Sequence, residues 1–161
     1  LFCGTGSFGL EALSRGAKQA IFVDTDRSAF EILKKNIAKA DFDLQSRVVC
    51  ANAFKVGAPN QNSDEKFSLI FVDPPYEMSK ETGENSQMAG LLKLLTGQIA
   101  DDGVVIVRTE KGVNLLDSYG NLRIIDKRIW SSMAVTFLAL KKDDKQTGGN
   151  TDNSDTPQSR L

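Results

Sequence analysis

Residues Gly4-Thr5-Gly6-Ser7-Phe8-Gly9, followed at Gln19–Asp24 by the run QAIFVD, decide the fold. The glycines satisfy G-x-G-x-x-G and open a helical stretch, Leu10-Glu11-Ala12-Leu13, that Gly16 closes. Such a turn lets the backbone approach a ligand where a Cβ would collide. The helix N-terminus behind it presents free N–H groups, which favour an anionic group on that ligand. Asp24 stands 20 residues after Gly4, at the end of a strand-like run, where a carboxylate can accept both hydroxyls of a ribose. Asp26 is placed to cap a helix starting at Arg27. The pattern suits NAD, FAD or S-adenosylmethionine, since all three carry an adenosine ribose. No Lys-Ser/Thr follows the glycines, which disfavours a P-loop.

Outward from this unit, helical and strand patterns alternate. Phe30, Leu33 and Ile37 form one apolar stripe over Arg27–Ala40 and predict a helix. Arg47–Ala51 (RVVCA), Phe67–Asp73 (FSLIFVD) and Val104–Arg108 (VVIVR) are short apolar strand runs. Gln87–Thr96 reads as a helix, and the polar stretch Gly57–Glu65, with Pro59, as a loop. Leu122–Trp130 and Met133–Leu140 flank Ser131 and Ser132 as an antiparallel hairpin. Near-continuous apolar strands between helices imply an α/β fold, with a mostly parallel sheet covered on both faces and the hairpin at one edge. One domain is expected over residues 1–142. Residues 143–161 have almost nothing to bury, and the charges from Lys141 onward cancel, so this stretch is expected to be a disordered tail.

Composition removes several chemistries. The 161 residues, 40% hydrophobic and 25% charged, describe one ordinary globular domain that needs no staple. There is no histidine, which removes His-dependent triads, His-ligated metals and an imidazole base. Cys3 and Cys50 offer no C-x-x-C, and reduced, buried thiols are expected; no metal site is expected. A net charge of −1 gives no support to an extended nucleic-acid footprint. No apolar run approaches the roughly 20 residues that span a bilayer, so a cytoplasmic protein is expected.

Asp73-Pro74-Pro75-Tyr76 decides among the cofactors. The tetrapeptide closes a strand, at the carboxyl edge where open α/β sheets bind ligands. Two prolines stiffen the turn. The Asp73 carboxylate and the Pro74 carbonyl can then converge on one exocyclic amino group. A base amine is a poor nucleophile because its lone pair is delocalised into the ring. Two acceptors on its hydrogens favour a pyramidal nitrogen, freeing the lone pair to attack a methyl sulfonium. Tyr76 offers a face on which a base can stack, a contact worth about 1–3 kcal/mol. This chemistry needs neither His nor metal.

With these motifs, the chain over about residues 1–140 resembles the bacterial small-subunit (16S) ribosomal RNA guanine-N2 methyltransferases, the RsmD-like class I methyltransferases. LFCGTGSFGLEALSRGA is similar to that family's first cofactor motif, FVDTDR to its second, CANAF to its adenine segment and FVDPPY to its catalytic motif. The resemblance implies a Rossmann-like class I fold and S-adenosylmethionine as cofactor. Cys3, Gly4, Thr5, Gly6, Asp24, Thr25, Asn52 and Ala53 are implied at the cofactor, and Asp73, Pro74, Pro75 and Tyr76 at the reaction. Many such enzymes have Asp where this chain has Asn52. The implied partner is 16S rRNA in a small-subunit assembly particle, met by a monomer. The family's first strand, central between those carrying Asp24 and Asp73, has no counterpart before Leu1. The chain is therefore expected to be an N-terminally incomplete record, and to fold poorly as it stands.

Three other readings compete. An adenine-N6 methyltransferase on DNA or RNA would use the same tetrapeptide, although a DNA enzyme normally needs an added recognition domain. A nicotinamide dehydrogenase explains Gly4 to Asp24 but leaves Asp73 to Tyr76 without a purpose. A non-catalytic RNA-binding module would bind cofactor without turnover. Trp130 reads as packing, Lys34, Lys35 and Lys39 as a solvated helix face, and Glu110 as a surface carboxylate.

Overall fold

A computed structural model describes residues 1–60 and 65–141. The expected tail at 143–161, and residues 61–64 of the expected loop, lie outside the described residues.

Two apolar clusters organise the chain. In the first, β1 (Ala20–Asp24) pairs in parallel with β2 (Ser46–Cys50), in register from Ala20↔Ser46 to Asp24↔Cys50. Helices α1 (Ser7–Ser14) and α2 (Arg27–Lys39) complete it. The stripe Phe30, Leu33 and Ile37 is buried with Leu13 and Phe22, as its helical spacing requires. Asp26 caps α2, accepting from the Ser28 and Ala29 amides.

The second cluster is larger. Strands β3 (Phe67–Val72), β4 (Ile99–Glu110), β5 (Ser118–Tyr119), β6 (Leu122–Trp130) and β7 (Met133–Leu140) form one sheet in the order β3-β4-β7-β6-β5. Between β3 and β4 runs α5 (Gln87–Leu95), which buries Met88, Ala89, Leu91, Leu92 and Leu95 against Ile70, Val72, Val105, Val107 and Leu138. Each fully buried leucine contributes roughly 1.5–3 kcal/mol, so α5 anchors this half. The helical crossover makes β3 and β4 parallel, whereas the Ser131–Ser132 turn makes β6 and β7 antiparallel. The sheet is mixed: β4–β7, β6–β7 and β5–β6 are all antiparallel.

No ladder joins β1 to β3 among the described residues. Residues 1–3 hydrogen-bond to both. The Leu1 amino group donates to the Phe71 carbonyl at 2.6 Å, the Asp73 amide donates to the Leu1 carbonyl at 3.4 Å, and the Cys3 amide donates to the Val23 carbonyl at 3.1 Å. Beside this bridge lies a slot of about 450 Å³, walled by Ala20–Phe22 and Phe67–Phe71. The expected central strand thus has no counterpart among the described residues.

The thiols are free, as expected, but their burial is not. Cys3 is half-buried and Cys50 is exposed. Cys50 ends β2, which lies at the edge of its two-stranded sheet and has no fully buried residue.

Candidate active site

The carboxyl ends of β1, β2 and β3 open into one cavity of about 730 Å³, within the range of small-molecule and cofactor sites. Gly4, Asp24, Thr25, Asn52, Ala53 and the whole Asp73–Tyr76 turn line it. Apart from Gly4 these residues follow three strand ends: β1 and β2 are parallel neighbours, and β3 brings Asp73–Tyr76 from the second sheet.

The glycine loop closes onto β1. Oδ2 of Asp24 accepts from the Gly4 amide at 2.8 Å, and Oδ1 accepts from the amides of Thr25 at 2.7 Å and Asp26 at 3.1 Å. Each carboxylate oxygen has two acceptor directions, so Oδ2 has one to offer a hydroxyl. Gly6 caps α1 at φ 93°, and a Cβ there would lie 2.3 Å from Leu33 Cδ1. Gly6 is thus needed for both its backbone and its packing. Cys3, Thr5 and Gly6 do not line the cavity. Cys3 lines the slot instead, its thiol pushed up to about 11 first by burial and then by the nearby Asp24 charge.

Asn52 caps the short helix α3 (Ala53–Val56), its Oδ1 accepting from the Phe54 amide at 2.9 Å. Among the described residues nothing accepts from the Asn52 side-chain amide, which keeps its two donors, and Ala53 is buried beside it. Across the cavity, Asp73 follows β3 and Pro75 caps the one-turn helix α4 (Tyr76–Ser79). The Met78 amide donates to the Pro75 carbonyl at 2.9 Å and the Ser79 hydroxyl to the Tyr76 carbonyl at 3.0 Å, which sets the turn rigidly. Pro74 is buried, while Tyr76 is 37% exposed and free to stack.

Arg108 completes this wall, and sequence reading missed it. Its Nε stands 2.5 Å from Asp73 Oδ1. The two side chains form an ion pair. Burial pushes the Asp73 carboxyl above the ordinary carboxylate range, and the Arg108 guanidinium opposes that rise. Gln87 and Phe2 also line the cavity. The only sequence signal for Arg108 was a cation ending a strand otherwise made of apolar residues.

The donor set fits S-adenosylmethionine. A carboxylate is available for ribose hydroxyls, a side-chain amide for an adenine edge, and an open glycine loop for the amino-acid end. Among the described residues no cluster of three or more His, Cys, Asp or Glu could hold a metal.

Residues 1–139 match the family described as "Conserved hypothetical protein 95". The chain belongs to this family. It is 29% identical over 139 residues to "Putative rRNA methyltransferase YlbH" of Bacillus subtilis, covering 85% of this chain and 72% of that protein. It is 41% identical over 75 residues to "Ribosomal RNA large subunit methyltransferase I" of Tolumonas auensis, covering 46% of this chain but only 19% of that one. The solved structure of "Putative methyltransferase yhhF" from Escherichia coli superposes with a TM-score of 0.64 at 26% identity, covering 87% of this chain and 72% of that one. The fold is that of the class I methyltransferases, and these relatives are named as methyltransferases. Among the described residues no helix is long and apolar enough to cross a membrane.

Proposed function

We propose that the chain methylates the exocyclic N2 amine of a guanine in 16S rRNA, acting in the cytoplasm as a monomer on a small-subunit assembly particle. The observation that carries this reading is Asp73, which leaves β3 beside a cavity that also holds Asp24, Asn52 and Tyr76. S-adenosylmethionine supplies a methyl group on a positively charged sulfur. Asp73 and the Pro74 carbonyl accept the two hydrogens of the amine and turn its lone pair toward that methyl. Tyr76 stacks on the base and fixes its plane. With the cofactor bound, its methyl would pass from the sulfur to the amine nitrogen as the methyl–sulfur bond breaks, and Asp73 is placed to take the surplus amine proton. Holding both reactants in line supplies several kcal/mol of barrier lowering. Asp24 holds the ribose of the cofactor through its free acceptor direction, and Asn52 meets the adenine edge.

Relatives whose names specify ribosomal RNA support an RNA substrate. Because one of those names specifies the large subunit, large-subunit rRNA is the second reading. The deciding experiment is methyl transfer from labelled S-adenosylmethionine to small and large subunits lacking guanine-N2 methylation, with Asp73→Ala as control and the product nucleoside identified. N2-methylguanosine in the small subunit, lost in Asp73→Ala, is the expected result. N6-methyladenosine would keep the chemistry and overturn the substrate. Label in the large subunit alone would favour the second reading. Cofactor binding without transfer to either would point to a non-catalytic module.

A further inference from the structure

Arg108 has no role in the reading above, yet it contacts the residue on which that reading turns. The β3–β4 register pairs Val72 with Val107, so one step further along the sheet Asp73 meets Arg108. The guanidinium has a second support: its central carbon lies 5.6 Å from the Phe8 ring centroid, and Phe8 is stacked on Phe71 at 5.0 Å with 12° between planes. An arginine clamped between a carboxylate and an aromatic face has little freedom to swing. Its partner oxygen, Asp73 Oδ1, is fully buried. Among the described residues no group donates to Oδ2, and both side chains line the cavity.

We propose that Arg108 is a positioning residue: it pins Oδ1 of Asp73 and so aims Oδ2 at the acceptor amine. The inference rests on the reading of Asp73 given above. A carboxylate alone at the end of a strand can rotate about its last bond, and each orientation presents a different oxygen. Binding one oxygen to a rigid planar cation removes that choice before the substrate arrives, which is pre-organisation rather than new contact. The same pair sets the charge of the acceptor. Arg108, reaching Asp73 from β4, opposes the effect of burial. Without Arg108, burial dominates further and the carboxyl binds a proton at higher pH, where it can no longer accept from the amine.

The test uses the full chain as wild type, Arg108→Gln and Arg108→Lys, assayed with labelled S-adenosylmethionine on small subunits lacking guanine-N2 methylation. Arg108→Gln is expected to lower kcat about 10- to 100-fold, the scale of a misdirected proton acceptor. Affinity for S-adenosylhomocysteine should stay within about twofold, because Arg108 holds no cofactor group in this scheme. The acid limb of the kcat profile should move to higher pH. Arg108→Lys keeps the charge but lacks the planar fork, so its acid limb should return toward wild type while kcat stays depressed. Rates within about threefold of wild type in both variants would overturn the proposal. So would parallel losses of melting temperature, cofactor affinity and rate, which mark a purely structural bridge. If the wild type itself transfers no methyl to RNA, the reading of Asp73 has failed, and a carbon-13 titration of its carboxyl still judges Arg108. A midpoint that rises in Arg108→Gln supports the coupling, and an unchanged midpoint overturns it.

Discussion

The Gly4 amide donates to Oδ2 of Asp24 across 2.8 Å, so one carboxylate both folds the glycine loop and faces the cavity. Removing it has two consequences at once. Asp24→Ala should weaken S-adenosylhomocysteine binding by the loss of charge-assisted hydrogen bonds, about 1.5–3 kcal/mol or roughly 10- to 150-fold. Asp24→Asn keeps an acceptor for one loop amide and should fall between. Calorimetric titration of the three proteins checks the order.

Gly9 reads as part of a ligand turn, but a Cβ there would lie 2.2 Å from Cε1 of Phe22, a ring only 2% exposed. The glycine lets α1 lie flat on β1. Gly9→Ala should therefore destabilise the fold by about 1–3 kcal/mol through overpacking. Urea unfolding measures this, and a neutral or stabilising result would show that Phe22 can move aside.

Tyr76 is 37% exposed at the mouth of the cavity, and no hydrogen bond to its hydroxyl occurs among the described residues. Its expected role is the ring, not the hydroxyl. Tyr76→Phe should keep KM for RNA near wild type, whereas Tyr76→Ala should raise it by the equivalent of about 1–3 kcal/mol of lost stacking. Steady-state kinetics with RNA as the varied substrate separates the two.

The Asp26 carboxyl is held below the ordinary carboxylate range by the Ser28 hydroxyl first and by the Ser28 and Ala29 amides next. Its folded value is depressed, so the stability it adds is present above the unfolded value of about pH 4 and lost as pH falls through the folded value. The stability gap between wild type and Asp26→Ala should be constant near neutrality and close below pH 4. Chemical denaturation at a series of pH values checks both the sign and the window.

Much of the site could be read before any fold was known. Asp24, Asn52 and Asp73 each end or follow a strand run, and open parallel sheets gather such ends on one edge. The α2 stripe, its Asp26 cap and the hairpin at Ser131–Ser132 appear where periodicity and turn chemistry place them. Other features were not legible. The strand run Val104–Arg108 extends over Ile99–Glu110, because pairing with β7 continues the ladder through polar residues up to Glu110. The two-residue β5 has no pattern of its own and exists through pairing with β6.

What the sequence by itself determined is local: where the chain turns at glycine, which runs are strands, which acids stand at their ends, and that these 161 residues hold no histidine. These follow from backbone freedom, side-chain period and residue inventory, all of which act over a few neighbours. Only the tertiary structure decided which distant groups meet. Arg108 reaches Asp73 because α5 returns the chain to lay β4 beside β3 in one register. Phe8 meets Arg108 because α1 packs where Gly9 permits it. Cys50 is exposed because β2 lies at a sheet edge, and Cys3 faces the slot because β1 and β3 do not pair. No local pattern links these residues, since their proximity is created by strand order and register rather than by spacing along the chain.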